Sequence, residues 1–142
     1  MFLFQLPRLP EWFMGRDLKK TFTRAFRGWS HNKDAFSDED IDQYVKAFSG
    51  PYALTAPINY YRAASGMAFE ERFRAIRTLF TPTLVIWGED DRALSKELSV
   101  GLEKYCRDYY EIKYIPDASH WVQNDAPDLV NKYILEFLEK KF

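Results

Sequence analysis

At 142 residues the chain is long enough to bury a core, and its length sets a prior of one domain or part of one. Hydrophobic residues make up 46% and aromatics 18%, which excludes a disordered or purely solvating chain. Twenty basic against twenty-one acidic residues leave a formal net charge of −1, so there is no electrostatic footprint for nucleic acid or an anionic membrane.

The single cysteine, Cys106, excludes an internal disulfide framework and every multi-cysteine zinc pattern, and it fits a reducing intracellular compartment. No stretch approaches the ~18 consecutive apolar residues of a membrane helix. The opening MFLFQLPRLP is apolar but lacks a charged leader and is interrupted by Pro7 and Pro10, so it makes a poor signal peptide. A chain that begins directly on such a segment reads as though something precedes it.

Residues 1–16 carry Pro7, Pro10, Trp12 and Phe13 and predict an irregular or short helical entry. Asp17 can cap a helix to about Phe26, with Leu18, Phe22 and Phe26 on one face. Arg27–Phe36 is rich in turn formers, contains His31 and predicts a loop. Ser37 followed by Asp38, Glu39 and Asp40 is a strong helix start, since a side-chain cap and three acids face the unpaired first-turn N–H groups. Ile41, Tyr44, Val45 and Phe48 form its apolar face, and Ser49-Gly50-Pro51 ends it. A further helix over 53–64 is entered through Thr55 with Pro57 near its first turn, and Gly66 breaks it. The charged segment FEERFRAI, 69–76, is predicted helical before Thr81-Pro82 resets the chain to extended geometry.

From there the pattern becomes strand, helix, strand, helix. Leu84–Trp87 is a continuous apolar run, as a parallel strand covered on both faces requires. Ser95 would cap a helix to about Tyr105 with Leu98, Leu102 and Tyr105 inward. Tyr110–Ile115 alternates like a strand nearer a sheet edge. Asp125 would cap a last helix with Val130, Tyr133, Ile134, Phe137 and Leu138 as its stripe. Two strands do not make a stable parallel sheet alone, so the sheet is expected to continue through strands outside these residues. The expected division is a helical cap over 1–79 and a βαβα portion of an α/β core over 80–142.

Functional groups in open α/β sheets gather at the carboxyl ends of the strands. Asp91 lies just past the end of the first strand and His120 just past the second. A carboxylate that accepts from one imidazole nitrogen fixes the tautomer and leaves the other nitrogen free to act as a base. The order acid then histidine is that of an α/β-hydrolase with the nucleophile missing from the front. Spacing alone leaves other readings open: Asp90 and Asp91 serve equally as turn caps, and a single loop histidine is often structural.

The strings FLFQLPRLPE, ALTAPINYYRA, TPTLVIWGEDD and ASHWVQNDAPDLVNKYILEFL, in chain order, resemble segments of the epoxide hydrolases of the α/β-hydrolase family, occur in that family's order and cover nearly the whole chain. The PINYYR piece is the most discriminating, because those enzymes carry a cap tyrosine in a comparable context. The resemblance implies the C-terminal portion of an α/β-hydrolase fold with a helical cap. It also implies a cofactor-free, metal-free reaction in which an aspartate opens an epoxide and a His-Asp pair activates the water that hydrolyses the resulting ester. Asp91 would be the acid, His120 the base and Tyr61 the cap donor to the epoxide oxygen, with a small apolar epoxide as substrate. Without the resemblance, Tyr61 is simply one of nine tyrosines, on an amphipathic helix.

Two departures stand out. Leu3 occupies roughly the place of a second cap tyrosine, and these residues contain neither a nucleophile elbow nor an HG-type oxyanion segment. Ser65-Gly66 lacks the preceding glycine, and Cys106 has no evident base. The 142 residues alone are therefore expected to be inactive. A haloalkane dehalogenase of the same fold and a non-catalytic interaction module are the alternatives.

Overall fold

In a computed structural model the structure describes residues 2–64 and 78–141. The expected break at Gly66 and the helix over 69–76 lie outside the described residues. The chain divides into two compact units, Met1–Ala25 with Ser37–Ile76, and Phe26–Phe36 with Arg77–Phe142.

The first unit is helical. A 3-10 turn, Phe2–Gln5, leads into α1 (Leu9–Gly15), α2 (Leu18–Phe26), α3 (Asp38–Phe48) and α4 (Thr55–Ala63); the last residue of α2 counts with the second unit. Asp17 caps α2 through Oδ1, which accepts from the Lys20 N–H at 2.9 Å. α3 begins with a full capping box, in which Ser37 Oγ accepts from the Asp40 N–H and the Asp40 carboxylate accepts from the Ser37 N–H. Its apolar face is set by Ile41, which is fully buried, and Phe48 packs on Phe22 of α2 with ring centres 5.1 Å apart. α4 starts at Thr55, but the preceding Leu54 offers no side-chain cap. The unit is tied instead by Arg62, whose guanidinium donates to the Phe4 and Leu6 carbonyls and to both oxygens of Glu11.

The second unit is built on β1 (Thr83–Gly88) and β2 (Tyr110–Ile115), paired in parallel with Thr83 opposite Tyr110 and Gly88 opposite Ile115. Two helices follow, α5 (Val122–Asp125) and α6 (Pro127–Lys141). The core gathers Ile115, Ala118 and Val130, with Ile86, Val122, Ala126 and Tyr133 packed around them. Leu84–Trp87, expected to be covered on both faces, is only half-buried, because among the described residues β1 has one strand neighbour. The stripe of α6 is likewise buried at Val130 and Phe137 but exposed at Ile134 and Leu138.

Two local expectations are corrected. The crossover over 95–105 is not one helix but two 3-10 turns, Lys96–Ser99 and Leu102–Tyr105. Val100 is extended and Gly101 sits at φ 80°, a left-handed conformation that ends a helix and favours glycine. Ser95 makes no side-chain cap, and the buried residue is Ser99, whose hydroxyl bonds the Lys96 carbonyl and the Tyr114 hydroxyl. Nor does Asp125 cap the last helix: α6 starts at Pro127, and the carboxylate turns back toward the turn after β2.

Among the described residues no helix is long and apolar enough to cross a membrane.

Candidate active site at the strand ends

The parallel register brings the ends of β1 and β2 side by side, and backbone bonds join the segments that leave them. The Glu89 N–H donates to the Ile115 carbonyl at 3.0 Å and the Asp90 N–H to the Ala118 carbonyl at 2.9 Å. This approach depends on Gly88. A Cβ there would lie 2.7 Å from the Ala118 carbonyl carbon and closer still to the Ala118 and Ser119 carbonyl oxygens. Gly88 is required for space, not for an unusual φ.

Asp91 uses its two oxygens differently. Oδ1 accepts from the Ala93 and Leu94 N–H groups at 2.7 and 3.0 Å, and Oδ2 lies 2.9 Å from Nδ1 of His120. One oxygen thus caps the turn and the other faces the imidazole. The Asp91 side chain is 8% exposed and that of His120 36%. Burial pushes the Asp91 carboxyl up, but the hydrogen bonds from His120, Leu94 and Ala93 outweigh it and hold the group below the usual aspartate value. With a carboxylate at Nδ1, the imidazole carries its proton there, and no described residue hydrogen-bonds Nε2. Such a pair can take a proton from water at Nε2 while the carboxylate stabilises the imidazolium.

The histidine turn is closely held. Ala118 and Ser119 are buried, Ser119 Oγ accepts from the Trp121 N–H, and the His120 and Trp121 rings meet edge to face at 5.2 Å. Trp121 in turn packs on Phe26 and Phe36, which close the loop expected at 27–36.

That loop also brings His31, which the sequence offered no reason to place here. Its Nδ1 lies 2.7 Å from Oδ2 of Asp90, and Nε2 lies 3.9 Å from Oδ1 of Asp117. Among the described residues, His31, Asp90 and Asp117 are the group whose ligand atoms are close enough to hold a metal ion, and all three are exposed. An open cleft beside the pair is lined by His31, Asp90, Asp91, Arg92 and Ser119.

Tyr61 belongs to the first unit. It is 41% exposed on α4, its ring centre is 5.2 Å from that of Phe4, and its backbone carbonyl accepts from Gln5 Nε2. A cleft of about 860 Å³ in the same unit is lined by Arg8, Glu11, Leu18, Tyr52, Thr55 and Arg62, among others.

The model of the "Alpha/beta hydrolase family" matches residues 2–133. The chain belongs to that family. Within it the chain is epoxide hydrolase-like, as its curated relatives indicate. It is 34% identical over 145 residues to epoxide hydrolase 4 of Mus musculus, covering 99% of this chain and 39% of that protein. Against epoxide hydrolase 3 of Xenopus tropicalis it is 38% identical over 146 residues, covering 100% of this chain and 39% of that protein. Among solved structures, epoxide hydrolase A from Mycobacterium thermoresistibile superposes with a TM-score of 0.80 at 22% identity. That match covers 96% of this chain and 50% of the other, and at this identity it supports the fold alone. The alpha/beta hydrolase chain thus spans less than half the length of the curated relatives it matches.

Proposed function

We propose that this chain supplies the acid, the base and a hydrogen-bond donor to the epoxide oxygen of an epoxide hydrolase, and that the nucleophilic carboxylate comes from a segment outside the 142 residues. Residues 1–79 form its helical cap and residues 80–142 the last strand-helix-strand-helix portion of its core. The attacking carboxylate forms a C–O bond to an epoxide carbon, the strained ring C–O bond breaks, and the Tyr61 hydroxyl donates to the oxygen that departs. A tyrosine hydroxyl is a hydrogen-bond donor that can be aimed at a developing oxyanion, which suits that role. His120 Nε2 then takes a proton from water, whose oxygen attacks the ester carbonyl. Asp91 stabilises the imidazolium, and the tetrahedral intermediate collapses with cleavage of the ester C–O bond. Water's second proton passes to the released alkoxide, and the imidazolium returns its proton to the oxygen partnered by Tyr61, so the diol leaves with carboxylate and imidazole regenerated.

The observation that carries this reading is the His120 Nδ1 contact to Asp91 at 2.9 Å, made by a buried carboxylate whose other oxygen is fixed by two N–H groups. It is supported by the names of the curated relatives and by an aromatic, apolar cap composition suited to a small apolar substrate. The test is product analysis with the full-length enzyme. Vicinal diol from a terminal epoxide is the expected result, with no turnover by the 142-residue chain alone. Halide release from haloalkanes without diol formation would replace this reading with a dehalogenase, and turnover by the short chain would remove the need for an outside nucleophile.

A further inference from the structure

Two carboxylates, not one, converge on the His120 turn. Asp91 meets the imidazole, and Asp125 meets the backbone that carries it. Asp125 ends α5 and stands one residue too early to cap α6, so its side chain is free to turn back. Oδ2 accepts from the Ser119 N–H at 2.7 Å and from the His31 N–H at 3.3 Å, and Oδ1 accepts from the Asn32 N–H at 3.0 Å. Three backbone donors from two distant segments therefore end on one side chain.

The Ser119 N–H belongs to the Ala118–Ser119 peptide, so the Asp125 contact holds the peptide unit that leads into His120. On the other side the same stretch is held by Gly88, which allows the close approach, and by the Asp90 N–H bonded to the Ala118 carbonyl. A turn gripped on both sides has little freedom to swing its side chain. Catalytic groups need such support, because a displacement of about 1 Å can cost about a hundredfold in rate.

We propose that Asp125 is a positioning residue for His120, joining the 27–36 loop to the histidine turn and holding the geometry in which Nδ1 faces Asp91 and Nε2 is left without a hydrogen-bond partner among the described residues. The inference rests on the proposed function for its catalytic consequence, but its geometry can be tested without turnover. In the full-length enzyme labelled with 15N-histidine, the His120 ring is assigned as the one lost in His120→Gln and the His31 ring as the one lost in His31→Gln.

In long-range 1H–15N spectra at pH 8.5, the wild-type protein should show His120 in a single tautomer protonated at Nδ1, with a slowly exchanging Nδ1 proton. Asp125→Asn should lose that proton signal and mix the tautomers while the far-UV circular dichroism is unchanged. Asp117→Asn, a change at an exposed side chain that takes no backbone N–H bond, should leave the signature intact. In the full-length enzyme Asp125→Asn should lower kcat about tenfold to a hundredfold with KM nearly constant.

An unchanged His120 signature in Asp125→Asn, or an unchanged kcat, overturns the inference. If that variant does not fold, amide exchange in the wild-type protein decides: Ser119, His31 and Asn32 N–H groups protected from exchange support it, and exchange at the rate of open loops overturns it. A His120→Gln enzyme that hydrolyses epoxides like the wild type would instead refute the proposed function, leaving the geometric result standing.

Discussion

Gly88→Ala should directly damage the strand-end site. The new Cβ would stand 2.7 Å from the Ala118 carbonyl carbon and closer to two carbonyl oxygens, all of them backbone atoms that no rotamer change can move. Ordinary contact requires the turn at 118–119 to retreat by about 1 Å, an overpacking strain of about 1–3 kcal/mol. The Asp90 N–H bond to the Ala118 carbonyl, now 2.9 Å, would stretch beyond hydrogen-bond range and forfeit about 1 kcal/mol.

Alanine also restricts the unfolded chain, which offsets about 0.4–1 kcal/mol of this loss. The strain wins, and the net destabilisation is about 1–3.5 kcal/mol. For 142 residues that lowers Tm by about 3–12 °C, measurable by thermal unfolding followed by circular dichroism. The His120 ring resonances should shift as well, since the displaced peptide carries that side chain. A variant with Tm within 2 °C of wild type and unmoved His120 signals would refute the argument that the two strand ends are locked in contact.

Ser37→Ala removes the Oγ that caps α3 and should cost about 1 kcal/mol, seen as a fall of a few degrees in Tm; an unchanged Tm would mean the capping box contributes nothing. Glu111 accepts from Lys113 Nζ and the Tyr109 hydroxyl, both at 2.8 Å, and these partners hold its carboxyl at about 2, below the ordinary 4.5. A depressed carboxyl contributes stability that is fully present above the ordinary value and lost as pH falls through the lowered one. Denaturant titrations between pH 5 and pH 2 should therefore show a shallower acid loss in Glu111→Gln than in wild type. Asp91→Asn leaves the turn N–H groups an acceptor but removes the charge facing His120, and should reduce kcat of the full-length enzyme by roughly 10³–10⁴-fold, measured as diol formation.

The parts of the fold legible from the sequence were those with local causes. Asp17 and Ser37 announce their helices because a cap acts over three residues, and β1 announces itself by an apolar run and β2 by alternation, both of strand length. The meeting of Asp91 with His120 follows from two strands lying parallel, which places both strand exits at one rim. The crossover was misread because Leu98, Leu102 and Tyr105 keep helical spacing across Gly101, whose left-handed φ interrupts the helix that the spacing implies. Asp125 was misread because its partners lie at Ser119 and, more than ninety residues away, at His31 and Asn32. No periodicity or motif reports a carboxylate that serves distant backbone, and the same non-locality hid His31.

The central claim is that His120, backed by Asp91, is the base that releases an ester formed on a carboxylate outside this chain. The direct measurement is intact-protein mass spectrometry of the full-length enzyme carrying His120→Gln, after mixing with excess styrene oxide. The account predicts that the variant gains the mass of one epoxide, held as an ester on a carboxylate and released by hydroxylamine, while the wild type shows no adduct and produces diol. Diol formation by the variant at the wild-type rate, with no adduct, would contradict it.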